Sequence, residues 1–285
     1  MRYALVTGGS SGIGLETARG LRPHFDVVGI VGRNPERLLS AAEELRRGGG
    51  RVETFQADFS SLADVQRLAY DVKGRFESLD VLVNNAGVWH RERHLSEDGY
   101  EDTFAVNHLA HFLLTNELKD LLVAGAPSRV VHVSSSMHVR PESLNWDDLM
   151  FESDFRGFRV YAHSKLANVL FSNELARRWK ELGITSNALN PGNVRSRITR
   201  NNKLLNMLHH SPLARLVVMT ETEGARTSLY VATSPELEGV TGCYFDKGKA
   251  TRPSKVARDL EAAKRLWEVS EELVDSALTR ARSPK

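Results

Sequence analysis

Cysteine is nearly absent: Cys243 is the one thiol in 285 residues. A single thiol cannot build an internal disulfide framework or a cysteine-rich metal site. It falls in the strand-like run Gly242-Cys243-Tyr244-Phe245, where a small buried thiol is expected rather than a nucleophile. Long apolar runs are missing too. No stretch reaches the roughly 18 residues a transmembrane helix needs. A strand-like run begins at Tyr3, so no secretory leader is expected, and a soluble cytoplasmic protein is the default. Charge excess is also lacking, with 38 Lys plus Arg against 36 Asp plus Glu. That balance argues against a generic nucleic-acid or membrane-surface role. There is no internal repeat or low-complexity linker, and Ala281 to Lys285 alone reads as a disordered tail.

What is present points to one large core. With 41% hydrophobic residues, the simplest organisation is a single domain over residues 1–285. Strand-like and helix-like segments alternate. Strands are expected at Tyr3–Val6, Asp26–Val31, Arg51–Ala57, Leu79–Val83, Arg129–Val133, Ile184–Leu189 and Gly242–Phe245. Helices are expected at Leu15–Leu21, Pro35–Arg47, Tyr100–Val123, Tyr161–Leu182, Thr222–Thr233 and Ser254–Leu278. A further helix should open at Ser61-Leu62-Ala63-Asp64, which has the form of a capping box. Such alternation implies an α/β fold, a three-layer doubly wound parallel sheet of the Rossmann type. Ligands of such sheets bind beyond the carboxyl ends of the strands.

Those strand ends carry chemistry. The first strand runs into Thr7-Gly8-Gly9-Ser10-Ser11-Gly12-Ile13-Gly14 and then a helix, the context of a dinucleotide site. Glycine admits a pyrophosphate close to the backbone, and the helix start offers free N–H groups. The spacing of Gly8, Gly12 and Gly14 departs from G-x-G-x-x-G. The second strand ends in Gly32-Arg33, with no acid to accept from the ribose 2′-hydroxyl of NAD, so NADP(H) is favoured over NAD(H). Asp58 ends the third strand, suited to an adenine edge or to capping the next turn. Asn84-Asn85-Ala86-Gly87 ends the fourth and Ser134-Ser135-Ser136 the fifth. In Tyr161-Ala162-His163-Ser164-Lys165, the phenol and the ammonium stand four apart on one helix face. Such pairs are commonly a solvated face. Next to a ligand site, though, the cation is expected to lower the tyrosine pKa toward neutrality and fit it for acid–base work.

Together these motifs resemble the short-chain dehydrogenases/reductases. Thr7–Gly14, Asn84–Gly87, Asn107, Ser135, Tyr161-x-x-x-Lys165 and Pro191-Gly192 follow in that family's order over the whole chain. Val106–Phe112, Tyr161–Asn168, Ser186–Asn193 and the insert containing Asn145–Leu149 look most like the retinol-dehydrogenase-like branch. That branch includes the oxidoreductase domain of the WW-domain-containing oxidoreductase. The membrane-anchoring leader of many retinol dehydrogenases is not seen here, nor are WW modules, so neither membrane retinoid use nor WW-type partner binding carries over.

The resemblance implies interconversion of a carbonyl and an alcohol. Tyr161 would be general acid and base, and Lys165 would hold the nicotinamide ribose and keep the Tyr161 pKa low. Ser135 would donate to the substrate oxygen, with Ser134 or Ser136 as alternatives, and Asn107 would hold a water. The cofactor set would be Gly8, Ser10, Ser11, Gly12, Ile13, Gly14, Arg33, Asp58, Phe59, Asn85, Ala86, Gly87, Tyr161, Lys165, Pro191, Gly192 and Val194, the last through its backbone on the carboxamide. Residues 195–220 would form a substrate lid. Its apolar runs suggest an apolar small molecule, or packing on the body or a partner, and Arg195, Arg197, Arg200 and Lys203 could attract an anion or solvate the lid. A homodimer through the Tyr100–Val123 and Tyr161–Leu182 helices is also implied.

Lesser signals carry no assigned chemistry. His90 and His94, and His108 and His111, have metal-ligand spacing but no neighbouring acid, so no metal is expected. Trp89-His90-Arg91-Glu92-Arg93 reads as an exposed flank of the active-site mouth. Two other functions compete: a redox sensor that binds NADP(H) without turnover, and a sugar-nucleotide epimerase or dehydratase. The latter has different glycine spacing and a larger C-terminal domain.

Overall fold

The computed structural model describes residues 1–194 and 219–282. The expected lid therefore lies outside the described residues except for Met219 and Thr220. Strands β1 (Tyr3–Thr7) and β2 (Val27–Gly32) are buried along their whole length. Near-continuous apolar runs of this kind form parallel sheets covered on both faces. With β3 (Arg51–Gln56), β4 (Val81–Asn84), β5 (Ser128–Val133), β6 (Ile184–Asn190), β7 (Tyr244–Asp246) and β8 (Lys249–Thr251), the described strands make one sheet in the order β3-β2-β1-β4-β5-β6-β7-β8. All neighbours are parallel except β7 and β8. The expected single Rossmann-type domain is what forms. The β8 edge strand was not foreseen: Lys247 (φ 49) and Gly248 (φ 71) close a two-residue hairpin that reverses the chain.

Side chains alternate between two cores. Tyr3 and Leu5 join one face, Ala4 and Val6 the other. On the second face lie α1 (Gly12–Leu21), α2 (Pro35–Arg47) and α8 (Glu221–Thr233). On the first lie α3 (Leu62–Lys73), α7 (Gly157–Trp179) and α9 (Leu260–Arg282). At α3 the expected capping box is half made. Ser61 accepts from the Asp64 N–H at 3.4 Å, but the Asp64 carboxylate turns to the Asp58 N–H at 2.7 Å.

The continuous helix expected over Tyr100–Val123 is divided. It consists of α4 (Asp102–Phe104), a π-helical turn (Ala105–Leu109), α5 (Ala110–Glu117) and α6 (Lys119–Ala124). A π turn carries one extra residue and re-aims what it holds. Here it sets Asn107 against Val88, which donates its N–H to Oδ1 at 2.8 Å and accepts from Nδ2 at 3.0 Å.

Helix α9 packs on α5 and α7, within the two long helices through which the resemblance implied a homodimer. The Trp267 ring sits 5.1 Å from Phe112 and 5.7 Å from Phe171, and the Arg178 guanidinium lies 4.4 Å above it. The Tyr100 hydroxyl donates to the Leu273 carbonyl at 2.7 Å. Ser270 donates to Leu266 at 2.7 Å and accepts from His108 Nε2 at 2.8 Å.

Three fully buried histidines make this fold acid-sensitive. Burial pushes His108 and His132 from the usual 6.5 down to about 3, and His111 to about 4. The unfolded chain therefore takes up protons first as pH falls. The stability they contribute is complete above about pH 6.5 and drains away toward pH 4. Denaturant titrations at pH 7 and pH 5 should show a loss of roughly 1–2 kcal/mol per histidine. Replacing His132 by Asn should reduce the slope of that loss.

Candidate active site

The crossover between β1 and β4, where strand order reverses, opens a cleft of about 710 Å³ at the carboxyl ends of the strands. Its floor begins with the glycine turn. Gly8 (φ 66) and Gly12 (φ 61) hold left-handed backbone that other residues resist. Gly14 has no room for a side chain, since a Cβ there would overlap the Gly8 carbonyl oxygen. Ser11 precedes α1 without capping it, so the helix opens on the cleft with its first N–H groups uncapped by that side chain. A cradle of bare backbone before a helix start fits a dinucleotide pyrophosphate.

A buried hydrogen-bond chain fixes this cradle to the neighbouring strand ends. Thr7 Oγ1 accepts from the N–H groups of Asn85 (2.8 Å) and Ala86 (2.9 Å). It lies 2.9 Å from His111 Nε2. On the other side of that ring, Nδ1 is 3.1 Å from the Asn107 carbonyl, which can only accept. Nδ1 therefore carries the proton, and neutral His111 takes the Thr7 hydroxyl proton at Nε2. The Asn85 side chain completes the tie by donating to the Thr7 carbonyl at 2.8 Å.

All the sequence-predicted cofactor residues line the cleft: the glycine turn from Gly8 to Gly14 with Ser10, Ser11 and Ile13, then Arg33, Asp58, Phe59, Asn85 to Gly87, Pro191, Gly192 and Val194. Asp58 lines the cleft and makes the turn cap foreseen for it, accepting from the Ser60 N–H at 3.0 Å. It also faces Arg33 at 3.5 Å, whose side chain is 72% exposed. Arg37, in the first turn of α2, reaches the same end of the cleft and was missed. Its signal was its position four residues beyond Arg33. The Val194 N–H donates to the Gly192 carbonyl at 3.1 Å.

Ser135, Tyr161 and Lys165 converge on the other half of the cleft. Lys165, 3% exposed, donates to the Val133 carbonyl at 3.0 Å. Its ammonium is 5.5 Å from the Tyr161 ring centroid. Of the alternatives to Ser135, the Ser134 hydroxyl donates to the Lys165 carbonyl at 2.7 Å, and Ser136 is not among the residues that line the cleft. Asn107 stands behind the lining rather than in it. A Cβ on Gly87 would lie 3.1 Å from Asn107 Oδ1 and 3.6 Å from Lys165 Nζ, so the missing side chain lets the two approach.

One expectation fails here. Burial pushes the Tyr161 phenol up to about 12, against a downward pull from the Ser135 hydroxyl. Burial also draws Lys165 down to about 8. The protein's own residues thus keep the phenol protonated, because desolvation outweighs a cation that is not in contact with the oxygen.

The mouth differs from its sequence reading as well. Trp89 is buried and stacks on Phe158, ring centroids 4.8 Å apart. His90 does have an acid beside it, since Asp102 Oδ2 is 2.6 Å from its Nε2. Both line the cleft, as does Val88. Even so, no group of three potential ligands is placed to hold a metal among the described residues.

The site and the sheet that carries it match a known family. Residues 2–204 fit the model described as short chain dehydrogenase. The chain belongs to the short-chain dehydrogenase family. This dehydrogenase is 40% identical over 289 residues to retinol dehydrogenase 14 of Mus musculus, covering 96% of this chain and 86% of that protein. It is 39% identical to the WW domain-containing oxidoreductase of Gallus gallus, covering 99% of this chain and 70% of that one. Among solved structures it resembles a short chain dehydrogenase from Burkholderia cenocepacia in complex with NADP (TM-score 0.69, 26% identity, 85% of this chain and 94% of that one). A protein from Mycobacterium Paratuberculosis gives a TM-score of 0.78 at 30% identity over 96% of this chain and 94% of that one. The expected branch of the family is the one found, and it supports a nicotinamide cofactor for this dehydrogenase.

The Thr7 chain gives a direct test. Thr7→Val keeps the shape but leaves the Asn85 and Ala86 N–H groups without an acceptor. It should cost about 1–3 kcal/mol in denaturant titration and weaken dinucleotide binding measured by NADPH fluorescence.

Proposed function

We propose that this dehydrogenase reduces an apolar, elongated aldehyde or ketone to its alcohol with NADPH. The observation that carries the reading is the convergence of Ser135, Tyr161 and Lys165 in the cleft that also holds the glycine cradle. When bound, the nicotinamide supplies the hydride. Ser135 donates a hydrogen bond to the carbonyl oxygen as negative charge grows there. Tyr161 gives that oxygen its proton. Lys165, tied to Val133 through one of its three N–H groups, has others to offer the ribose hydroxyls. Asn107 holds the loop after β4 at Val88 and donates to the Ser164 hydroxyl at 3.0 Å, which steadies the helix turn that carries Tyr161 and Lys165.

A phenol raised by burial is protonated at neutral pH, the form that can give a proton to a carbonyl oxygen. For the cofactor, Arg33 and Arg37 offer two guanidinium groups to a 2′-phosphate, and no acid ends β2. The relatives' names make retinal the first substrate to try. No described helix is long and apolar enough to cross a membrane. We carry the cytoplasmic location forward as part of the proposal, to be checked by fractionation. The homodimer implied by the resemblance stays part of the proposal, and light scattering checks it: a single chain would give a mass near 31.8 kDa, a pair twice that.

The test is titration with NADPH and NADH followed by turnover of retinal and apolar aldehydes. Tyr161→Phe should lose roughly 10²–10⁴-fold in kcat yet still bind NADPH. Arg33→Ala should weaken NADPH binding roughly 10- to 100-fold and leave NADH unchanged. A Tyr161→Phe variant as active as the wild type would sink the reading. Binding with no turnover of any panel member would favour the sensor.

A further inference from the structure

A second cavity, of about 880 Å³, backs onto the catalytic cleft. One turn of α7 divides the two: Tyr161 and Lys165 line the cleft, while Ala162 and His163 line the second cavity. The loop after β5 divides them too, with Ser135 on one side and Met137 on the other. Phe158, which lines both, is 54% exposed and rests against Trp89. The partition between the cavities is thus one aromatic ring thick at that point.

The chemistry of this second cavity is unspent. His163 is 6% exposed, and its Nδ1 has no hydrogen-bond partner among the described residues. Buried polar atoms are almost always paired, and this one, on a residue of the cavity wall, is not. Burial and the nearby Arg159 push the ring down to about 4, so it is a neutral imidazole able to give or take one hydrogen bond. At the mouth, Arg265 lies flat over Trp146 at 4.4 Å and Arg140 stands in the lining. Neither has an ion pair among the described residues, whereas Arg159 is satisfied by Asp154 at 2.9 Å. Glu142 and Asp147 stand exposed on the rim and pair with neither arginine. Two guanidinium groups without ion pairs among the described residues, beside an aromatic wall, suit a carboxylate at the end of an apolar chain.

We propose that this cavity is a distal subsite that takes the carboxylate head of an elongated substrate whose carbonyl end reacts at Tyr161. The proposal rests on the oxidoreductase reading above and narrows its substrate to amphiphilic oxo acids.

The experiment compares straight-chain ω-oxo acids of increasing length with their methyl esters, using NADPH and the wild-type, Arg140→Ala and Arg265→Ala proteins. At the favoured length, the acid should exceed its ester in kcat/KM by roughly 10- to 100-fold. In either arginine variant the ratio should fall toward one, with ester turnover unchanged. A wild-type preference for the ester, or a ratio that both variants preserve, would overturn the subsite. Calorimetry with dodecanoate on NADPH-saturated protein separates this idea from the reductase reading. Binding that both variants lose, without turnover of any acid or ester, would uphold the subsite and sink the reductase. Ester reduction without dodecanoate binding would do the reverse.

Discussion

The site depends on one neutral imidazole. His111 receives the Thr7 hydroxyl proton on one side and donates to the Asn107 carbonyl on the other. Thr7 in turn holds the backbone of Asn85 and Ala86. Three elements far apart in sequence, the glycine turn, the end of β4 and the π turn, thereby share one fixed geometry. A second ring proton would end that acceptance and leave the Thr7 hydroxyl with the more distant Val83 carbonyl at 3.3 Å. The environment that forbids that proton, full burial beside Lys165, is the same one that makes the link strong.

Burial also sets the electrostatics at the reacting end. Proximity of Tyr161 and Lys165 in sequence suggested a phenol made acidic by its neighbour. In the folded protein both groups lose water, and each moves toward its neutral form. The ammonium approaches the ring rather than the hydroxyl oxygen, so its field does little to offset that loss. Charge in this cleft thus answers first to solvent access and only then to charged neighbours.

Much of this was legible beforehand, because apolar strands and glycine spacing are local signals. The doubly wound parallel sheet followed from βα alternation, and the residues that line the cleft followed from where each strand ended. What escaped were features set by tertiary contact. The π turn arises where Asn107 reaches Val88, a partner 19 residues away that no helical periodicity reveals. Trp89 read as exposed because its neighbours are charged, yet Phe158 from α7 covers it. Asp102 became the partner of His90 only through folding, and the Arg37 signal was hidden inside a helix whose exposed face is rich in arginine.

Helix α9 bears on how the molecule responds to dilution. In an oligomer, the partner that seals a hydrophobic helix face is held by mass action, so the seal weakens as subunits become scarce. Here the seal is tethered to the face it covers, with Trp267 seated among Phe112, Phe171 and Trp179. Its local concentration is fixed by the connecting chain, and it stays the same however few copies are present.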